Sequence, residues 1–369
     1  MKINSLELTN FRNLHQQAIQ FGEKKNFFIG NNAQGKTNLL EAIYLLCLTK
    51  SFRTNHDKEA ISFSAEQYII KGDFTLDNGN PQRIVLACSH KEGKQLSLNR
   101  KRVNRVADFI GDLPIVISSP DEYEITIGPP PERRKFFDIL ISQLDRRYLH
   151  YLVEYLRIVK QKSAILQQWK QEKTSNAKII DPWNERLAEI GAQIIYRRHQ
   201  FTYKLSLHLN QIYASLTQTR EKLEISYQPN LKFQESDDIQ KIFHDELNIN
   251  LSKEIQRGVC LIGPHRDDFI FKVNDHELKK YGSRGQHKTV LIALALAEYD
   301  LIYSLKNEKP IILIDDLFSE LDNEREKLIL KKLTQTGQVF LTGTEIQANT
   351  ANEQAAFFFV EDGKVMQQK

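Results

Sequence analysis

The segment Gly30–Thr37, with the sequence GNNAQGKT, constrains the fold of this chain more than any other. It matches the pattern G-x-x-x-x-G-K-[ST], in which backbone N–H groups wrap around phosphates and the lysine, here Lys36, faces the β- and γ-phosphates. The loop requires a strand before it and a helix after it, and Phe27–Ile29 and Asn38–Leu48 have the matching apolar patterns. The sequence therefore predicts an α/β domain that binds a nucleoside triphosphate. The predicted binding residues are Gly30, Asn31, Asn32, Ala33, Gln34, Gly35, Lys36 and Thr37.

A second segment, Pro310–Asp322 (PIILIDDLFSELD), has an apolar run that ends in two aspartates. P-loop proteins hold Mg²⁺ with a carboxylate at the end of such a strand, beside the phosphate loop. We predict that Asp315 binds Mg²⁺ together with the hydroxyl of Thr37, and that Asp316 is the catalytic base or orients the attacking water. The alternative is that both aspartates only cap the next turn. Two further polar residues would line the same edge, Ser319 and Asp322.

A third segment, SRGQHK (Ser283–Lys288), precedes the apolar run Val290–Ala297. The beginning of a helix offers unpaired backbone N–H groups and the positive end of the helix dipole, which together favour a phosphate. An ordinary N-cap by Ser283 is the alternative, because serine commonly satisfies the first helix donors. The candidates at this position are Ser283, Gly285 and Gln286.

Composition places the chain among globular proteins with two packed lobes. Its 369 residues exceed the usual size of a single core, and 41% of them are hydrophobic and 27% charged. No apolar stretch could cross a bilayer without charge, and Met1–Asn13 lacks the apolar region of a signal peptide, so we expect a cytoplasmic protein. Cys47, Cys88 and Cys260 lack the spacing of a zinc site or a disulfide framework and are expected to be buried thiols.

The net charge of +4 permits binding to nucleic acid but does not by itself indicate it. Local basic clusters are more informative, although each of them could be an ordinary solvated face. Four such clusters occur, at Asn99–Arg105, Glu132–Lys135, Asp145–Arg147 and Tyr196–His199. Four clusters together favour contacts with DNA phosphates more than any single cluster does.

Hydrophobic periodicity predicts a long helical region between two α/β halves. A β-rich stretch that surrounds one helix fills residues 1–120, and its Asp77–Asn80 (DNGN) is a hairpin signal. Helical patterns follow over residues 132–170 and from an N-cap at Asp181, with Pro182 in the first turn, to Leu216. The predicted elements of the C-terminal half are strands Val259–Ile262, Ile311–Ile314 and Val339–Leu341 and helices from Gly285 and over Asp322–Leu333.

The order of these motifs resembles the split head of ABC-type ATPases, with phosphate loop, signature, Walker B strand and D-loop in sequence. Several strings narrow the resemblance to the RecF family of bacterial DNA replication and repair proteins, which is related to SMC heads. These strings are NFRN, GKTNLLEAIYLL, ISSPDEYEITIGPPPERRKFFD, LIGPHRDD and DDLFSELD, and the resemblance covers Met1 to Thr344. It implies an α/β ABC-ATPase-like head with an antiparallel β meander, divided between residues 1–130 and 256–369, and an inserted helical lobe at residues 131–255.

The resemblance also assigns roles to individual residues. It implies that Arg12 and Asn13 lie near the nucleotide, and that the signature consists of Ser283, Gly285 and Gln286. Asp316 stands where most ABC ATPases have glutamate, and its shorter side chain must reach the attacking water from further back, so slow hydrolysis is expected.

Four other residues differ from most ABC heads, and one segment has no assigned role. Asp121 and Glu122 replace the glutamine of the Q-loop, which leaves its switch role in doubt, and Thr342 and Thr344 replace a histidine. Two interpretations of Gly263–Asp268 (GPHRDD) are equally open. The segment is either a structural turn in which Arg266 pairs with a carboxylate, or a direct contact with the nucleotide.

The function implied by the resemblance is ATP-dependent DNA binding during recombinational repair and replication restart. It implies ATP and Mg²⁺ as cofactors, dimerisation with ATP on duplex DNA or on junctions near single-strand gaps, a weak DNA-stimulated ATPase, and RecR and RecO as partners that help to load recombinase. The alternatives are an unrelated P-loop small-molecule kinase, for which SRGQHK and SELD would be accidental, and the ATPase subunit of a transporter.

Overall fold

The computed structural model describes residues 1–173, 176–217, 221–234, 236–316, 323–344 and 355–367. The chain divides into two compact units. Unit 1 comprises Met1–Tyr123, Gln211–Arg220 and Ser283–Lys369, and unit 2 comprises Glu124–Asn210 and Glu221–Gly282. Residues 256–282, which the sequence analysis grouped with the C-terminal half of the head, therefore cluster with unit 2.

Strands and helices are numbered along the chain. The strands of unit 1 are β1 (Lys2–Phe11), β2 (Leu14–Gln20), β3 (Lys25–Ile29), β4 (Gln67–Thr75), β5 (Pro81–Ser89), β6 (Gly93–Leu98), β7 (Lys101–Arg102), β8 (Ile115–Ser118), β12 (Ile311–Ile314), β13 (Val339–Gly343), β14 (Ala355–Glu361) and β15 (Lys364–Gln367). Its helices are α1 (Lys36–Leu48), α2 (Val106–Phe109), α10 (Arg284–Lys306) and α11 (Asn323–Leu333). Unit 2 contains strands β9 (Leu223–Gln228), β10 (Asp268–Val273) and β11 (His276–Glu277). Its helices are α3 (Tyr123–Ile127) from Glu124, α4 (Pro130–Leu144), α5 (Arg146–Glu172), α6 (Ala177–Thr217) up to Asn210, α7 (Ile239–Ile249), α8 (Leu251–Arg257) and α9 (Leu278–Tyr281).

An antiparallel sheet forms one layer of unit 1, in the strand order β2-β1-β4-β5-β6-β7. Its strands alternate between buried and more exposed residues, and β4 buries Tyr68, Ile70, Gly72 and Phe74 in turn. This period of two is expected when one face of a sheet packs on a core and the other faces solvent. The predicted meander is confirmed, and its DNGN segment connects β4 to β5.

A second sheet of unit 1 positions the chemical motifs, in the strand order β15-β14-β3-β13-β12-β8. Its strands β14, β3, β13, β12 and β8 run parallel, while β15 pairs antiparallel with β14. All residues of β3, β8 and β12 are buried, as expected when both faces of a parallel sheet are covered. The strand predicted at Ile311–Ile314 is confirmed, and the carboxyl ends of β3, β12 and β13 meet at one edge.

The side chain of Gln338 connects the two sheets of unit 1. Its Oε1 accepts a hydrogen bond from the backbone N of Ile3 at 2.8 Å, and its Nε2 donates to the carbonyls of Ile3 at 2.9 Å and of Gly22 at 2.7 Å. Gln338 is buried, so these bonds satisfy polar groups that would otherwise be costly to remove from water. One amide thus holds β1 beside the start of β13.

The helices of unit 2 differ from the prediction in two places. The helical region over residues 132–170 is interrupted at Asp145, whose carboxylate caps α5 by accepting from the backbone N of Arg147. Helix α6 begins at Ala177, so Asp181 is not its N-cap and Pro182 lies inside the helix. The added turn buries Ile180 in a cluster with Leu166, Trp169 and Cys260, and this burial offsets the hydrogen bond that proline cannot donate.

The predicted strand Val259–Ile262 is wrong, because these residues pair with no strand. The carbonyl of Cys260 instead accepts hydrogen bonds from Arg266 Nη2 at 2.8 Å and from His265 Nε2 at 3.2 Å. An apolar run of four residues is ambiguous, and here it supplies Cys260 to the cluster around Trp169. The nearby strand is β10, which pairs with β9 and β11.

A buried ion-pair network accounts for the GPHRDD segment as a structural turn of unit 2. Arg198 is 1% exposed, and its guanidinium donates to Asp138 at 2.8 Å, to Asp267 at 2.9 Å and to the carbonyl of Pro264 at 2.6 Å. Asp268 pairs with Arg133 at 2.7 Å. The carboxylates of the segment therefore pair with arginines from α4 and α6, whereas Arg266 donates to a carbonyl.

The other predictions at the level of the fold concern cysteines and membranes. Cys47, Cys88 and Cys260 are buried free thiols, as expected. Among the described residues, no helix combines the length and the apolar character needed to span a bilayer.

We expect Arg198→Ala to lower the free energy of unfolding by about 3–5 kcal/mol, because it leaves Asp138 and Asp267 without their buried partner. Arg186→Ala is the matched control: its ion pair with Glu154 is about as short, 2.8 Å, but both side chains are 42% exposed. The control should lose at most about 1 kcal/mol. Urea denaturation of both variants measures the difference, and equal losses would contradict a structural role for the buried network.

Candidate functional site

The phosphate loop connects the end of β3 to the beginning of α1. Gly35 is the N-cap of α1 and has a φ of 115°, a left-handed conformation that glycine adopts without strain. A Cβ at Gly35 would lie 2.8 Å from Oδ1 of Asn13, so the β1–β2 turn approaches too closely for any side chain. Asn31, Asn32 and Ala33 are exposed at the tip of the loop. The structure therefore places an exposed loop between β3 and the first turn of α1, which is the strand–loop–helix order that the sequence predicted.

Lys36 is folded back across its own loop. Its Nζ donates to the carbonyl of Gly30 at 2.6 Å and to that of Asn31 at 2.8 Å, and the residue is 8% exposed. Burial lowers the pKa of Lys36, while the nearby carboxylates of Asp316 and Asp315 act in the opposite direction. A positive charge is thus held inside the loop and faces the two aspartates that end β12.

Asp315 joins the phosphate loop to the end of two parallel strands. Its carboxylate accepts from Thr37 Oγ1 at 2.8 and 3.1 Å and from Thr342 Oγ1 at 2.6 Å. Its backbone N donates to the carbonyl of Ser118 at 2.8 Å, which fixes the residue at the edge of the sheet. The structure therefore brings together the two residues that the sequence predicted as metal ligands.

The donor set fits Mg²⁺. A hydroxyl and a carboxylate supply hard oxygen atoms, and Mg²⁺ usually takes only one or two protein ligands and completes its shell with water and phosphate. Among the described residues, no group of three or more His, Cys, Asp or Glu could hold a metal by itself. Thr37 and Asp315 would thus hold Mg²⁺ jointly with phosphate oxygens.

Asp316 follows directly and has an unusual backbone. Its φ of 48° is left-handed, its side chain is exposed, and its backbone N donates to Oγ1 of Thr342 at 2.9 Å. Thr342 therefore contacts both aspartates, a role that the sequence analysis missed because it considered this threonine only as the replacement for a histidine. Thr344 is exposed. Ser319 and Asp322 lie outside the described residues.

The β1–β2 turn places the two residues expected near the nucleotide against the loop. Asn13 Nδ2 donates to the carbonyl of Gln34 at 3.1 Å, and Asn13 Oδ1 accepts from Nδ2 of Asn38 at 2.8 Å. Arg12 forms two hydrogen bonds, of 2.8 and 3.0 Å, with the carboxylate of Glu41, which is fully buried. Neither Asn38 nor Glu41 was singled out from the sequence, although both lie on α1 directly after the predicted loop.

A C-terminal turn also contacts the loop, and the sequence analysis missed it. The backbone N of Asp362 donates to Oε1 of Gln34 at 2.5 Å, and that of Gly363 donates to the Gln34 carbonyl at 3.1 Å. Gly363 has a φ of 72°, and a Cβ there would lie 2.1 Å from the carbonyl oxygen of Asn13. The Asp-Gly pair between β14 and β15 is a recognisable hairpin signal, but its contact with Gln34 depends on the tertiary fold.

The predicted signature residues lie at the beginning of α10. Oγ of Ser283 accepts from the backbone N of Gln286 at 3.2 Å, and Oε1 of Gln286 accepts from the backbone N of Ser283 at 2.9 Å, which is a capping box. Ser283 and Gly285 are exposed. Within the described residues, no hydrogen bond joins Ser283 to Gly30–Thr37. Asp121 and Glu122 lie in the single turn of 3₁₀ helix at Pro120–Glu122.

The order of the parallel strands and the contact between Thr37 and Asp315 define the class of protein: the chain has the P-loop head fold of ABC-type ATPases. An SMC head domain derived from Pyrococcus furiosus shares this fold, with a TM-score of 0.57 at 16% identity over 100% of this chain and 96% of that chain. The family model named RecF/RecN/SMC N terminal domain matches residues 2–366.

Individual relatives define the family more narrowly. The chain is 36% identical to the DNA replication and repair protein RecF of Staphylococcus carnosus (strain TM300), over 99% of this chain and 100% of that protein. The values are the same for RecF of Bacillus subtilis (strain 168). A solved structure of the recombination mediator protein RecF with ATPrS in the RecFOR pathway matches with a TM-score of 0.92 at 31% identity, over 100% of this chain and 98% of that chain. The chain therefore belongs to the RecF family, and the resemblance seen in the sequence is confirmed.

We expect Gly363→Ala to weaken binding of a fluorescent ATP analogue by about tenfold, because a left-handed alanine is strained and its methyl group would displace Asn13, which donates a hydrogen bond to Gln34 in the loop. Gly79→Ala is the matched control: its φ is 84°, but a Cβ there meets nothing within 4 Å. It should bind the analogue as the parent protein does. If both variants keep the parent affinity, the C-terminal turn does not support the loop.

Proposed function

We propose that the chain is an ATP-dependent DNA-binding protein of recombinational repair and replication restart. The observation that carries this proposal is the contact between Thr37 and Asp315, which joins the phosphate loop to the acidic end of β12. Relatives that match nearly the full length are named DNA replication and repair proteins, and one related structure is described as RecF with ATP in the RecFOR pathway. These names support ATP as the ligand and DNA, RecR and RecO as the partners.

The residues of the loop and the two aspartates after β12 would have different roles in ATP binding and hydrolysis. Bound ATP with Mg²⁺ supplies the γ-phosphate whose cleavage resets the protein. Lys36 would exchange its two carbonyl partners for phosphate oxygens, because its charge already lies inside the loop. Thr37 and Asp315 would hold the metal, and the exposed carboxylate of Asp316 would orient the attacking water. We expect hydrolysis to be slow, because aspartate is one methylene shorter than glutamate at this position.

Dimerisation would complete the site. The beginning of α10 is exposed, and its capping box engages the donor at Gln286. The first N–H groups of a helix have no partner within the helix, and a phosphate would satisfy them. In this proposal Ser283 and the beginning of α10 bind the γ-phosphate held by a second copy of the chain. ATP then joins two copies on duplex DNA or on junctions near single-strand gaps, and hydrolysis releases them.

Two other functions are less well supported. A P-loop small-molecule kinase or a transporter ATPase subunit would use the same loop, but the chain matches RecF relatives over 99% of its length, including unit 2. We therefore place the protein in the cytoplasm, with the nucleoid, and expect DNA to stimulate its ATPase. Neither alternative predicts a response of the ATPase to DNA.

Lys36→Ala should abolish tight ATP binding, because it removes the charge that faces the β- and γ-phosphates. Asp316→Asn should keep ATP binding but lower turnover by at least about 100-fold, since it removes the group that positions water. Lys25→Ala is the control for loss of a buried lysine, because Lys25 is also 8% exposed. Nucleotide titration and steady-state hydrolysis measure these effects, and Asp316→Asn turning over at the parent rate would refute its assignment.

Ser283→Arg should leave ATP binding by the monomer intact and prevent ATP-induced dimerisation, because a bulky cation replaces the group that meets the phosphate. Ser283→Ala is the control for the cap alone and should lower stability by about 1 kcal/mol. Light scattering with a slowly hydrolysed ATP analogue reports the association.

Mixing two inactive proteins sharpens this test. A heterodimer of Lys36→Ala and Ser283→Arg would contain one site that is broken on both sides and one site that is intact. Partial ATP-dependent association should therefore return on mixing. If neither variant blocks dimerisation alone, the proposed role of the α10 beginning is incorrect.

A further inference from the structure

The basic clusters that the sequence suggested for DNA binding differ in how much of their positive charge is already paired with acidic or carbonyl groups of the protein. In Glu132–Lys135, Arg133 is buried against Asp268, and Arg134 donates to the carbonyl of Asp267 at 2.6 Å. In Tyr196–His199, Arg197 pairs with Asp145 at 2.8 Å and Arg198 is buried. These arginines hold unit 2 together, so most of their charge is already balanced within the protein.

The cluster Asn99–Arg105 is different. Its basic residues are all exposed, and none of them forms an ion pair within the described part of the chain. They are Arg100, Lys101, Arg102 and Arg105. No acidic residue occurs within Asn99–Arg105, and the nearest acidic residues along the chain are Glu92 and Asp108. This hairpin, Asn99–Arg105, is the most strongly basic free surface segment that the sequence analysis identified.

The hairpin is also held in one shape. Asn99 and Arg100 have φ values of 49° and 67°, so the β6–β7 turn uses two left-handed residues in succession. Oδ1 of Asn99 accepts from the backbone N of Arg83 at 2.8 Å, and its Nδ2 donates to Oε1 of Gln82 at 2.8 Å. A turn fixed in this way loses little conformational freedom when it binds a partner.

Protection of a sheet edge is the simpler explanation of these charges. β7 is the last strand of its sheet, and charged residues on an edge strand discourage pairing with another chain. However, β7 contains only Lys101 and Arg102 and offers a very short edge. Arg100 and Arg105 lie outside it, and arginine is the residue best suited to two-point hydrogen bonding with phosphate.

We propose that the hairpin Asn99–Arg105 binds the phosphate backbone of duplex DNA. This inference rests on the proposed function and adds the surface that the DNA contacts. Lys94 is not part of this surface, because its Nζ is engaged by Asp57 at 2.8 Å and by the carbonyl of Thr49 at 2.6 Å. Contacts to phosphates do not distinguish one base sequence from another, so duplexes of the same length but different sequence should bind equally well.

The test compares two double variants that remove the same charge from exposed arginines. One is Arg100→Gln with Arg102→Gln, and the matched control is Arg146→Gln with Arg147→Gln in another predicted cluster. Fluorescence anisotropy measures binding of a labelled duplex to the full chain with a slowly hydrolysed ATP analogue, over a series of salt concentrations. ATP affinity and thermal midpoint are measured for each protein and should match the parent.

We expect the hairpin variant to bind duplex about tenfold more weakly and to lose roughly 0.9 from the log–log salt slope for each phosphate contact removed. The control should keep the affinity and slope of the parent protein. If the hairpin variant binds like the parent, the inference is overturned while the proposed function stands. A loss of affinity in the control variant alone would indicate that the DNA site lies at the beginning of α5. If the parent protein itself fails to bind duplex, the proposed function fails and the hairpin assignment fails with it.

Discussion

The carboxylate of Asp315 accepts hydrogen bonds from Thr37 on α1 and from Thr342 on β13. These hydrogen bonds join the phosphate loop to the carboxyl ends of β12 and β13, and the candidate site of unit 1 depends on them. Parallel strands bring their carboxyl ends to one edge, so a loop after β3 and an aspartate after β12 become neighbours although 278 residues separate them. Lys36, folded inside the loop, faces the same carboxylates. The candidate nucleotide site is thus a consequence of strand order, because backbone pairing brings its parts to one edge of the sheet.

The sequence predicted what depends on local pattern. The phosphate loop, strand Ile311–Ile314 and the β meander have short-range signals, because glycine placement and hydrophobic period act within a few residues. The pairing of Thr37 with Asp315 was also predictable, since the motif specifies which strand must lie beside the loop. The contacts of Gly363 and Asp362 with the loop could not be predicted from local pattern, because they join residues that are far apart in the chain.

The errors have the same physical origin. Asp181 and Pro182 have the local signature of a helix beginning, but burial of Ile180 in a tertiary cluster extends the helix by another turn. Arg133 and Arg198 look like surface charges in the sequence, and both are buried because Asp268 and Asp267 reach them from the GPHRDD segment. A basic cluster can therefore stabilise a fold instead of binding DNA, and only the position of the acidic partner distinguishes these cases.

The central claim is that the nucleotide held at the Asp315 edge controls binding to DNA. The most direct measurement is the affinity of the unmodified protein for duplex DNA at fixed salt, first with a slowly hydrolysed ATP analogue and then with ADP. If the claim is correct, the analogue should tighten binding by at least about fivefold, within the usual range of coupling between two sites. Equal affinity with both nucleotides would contradict it.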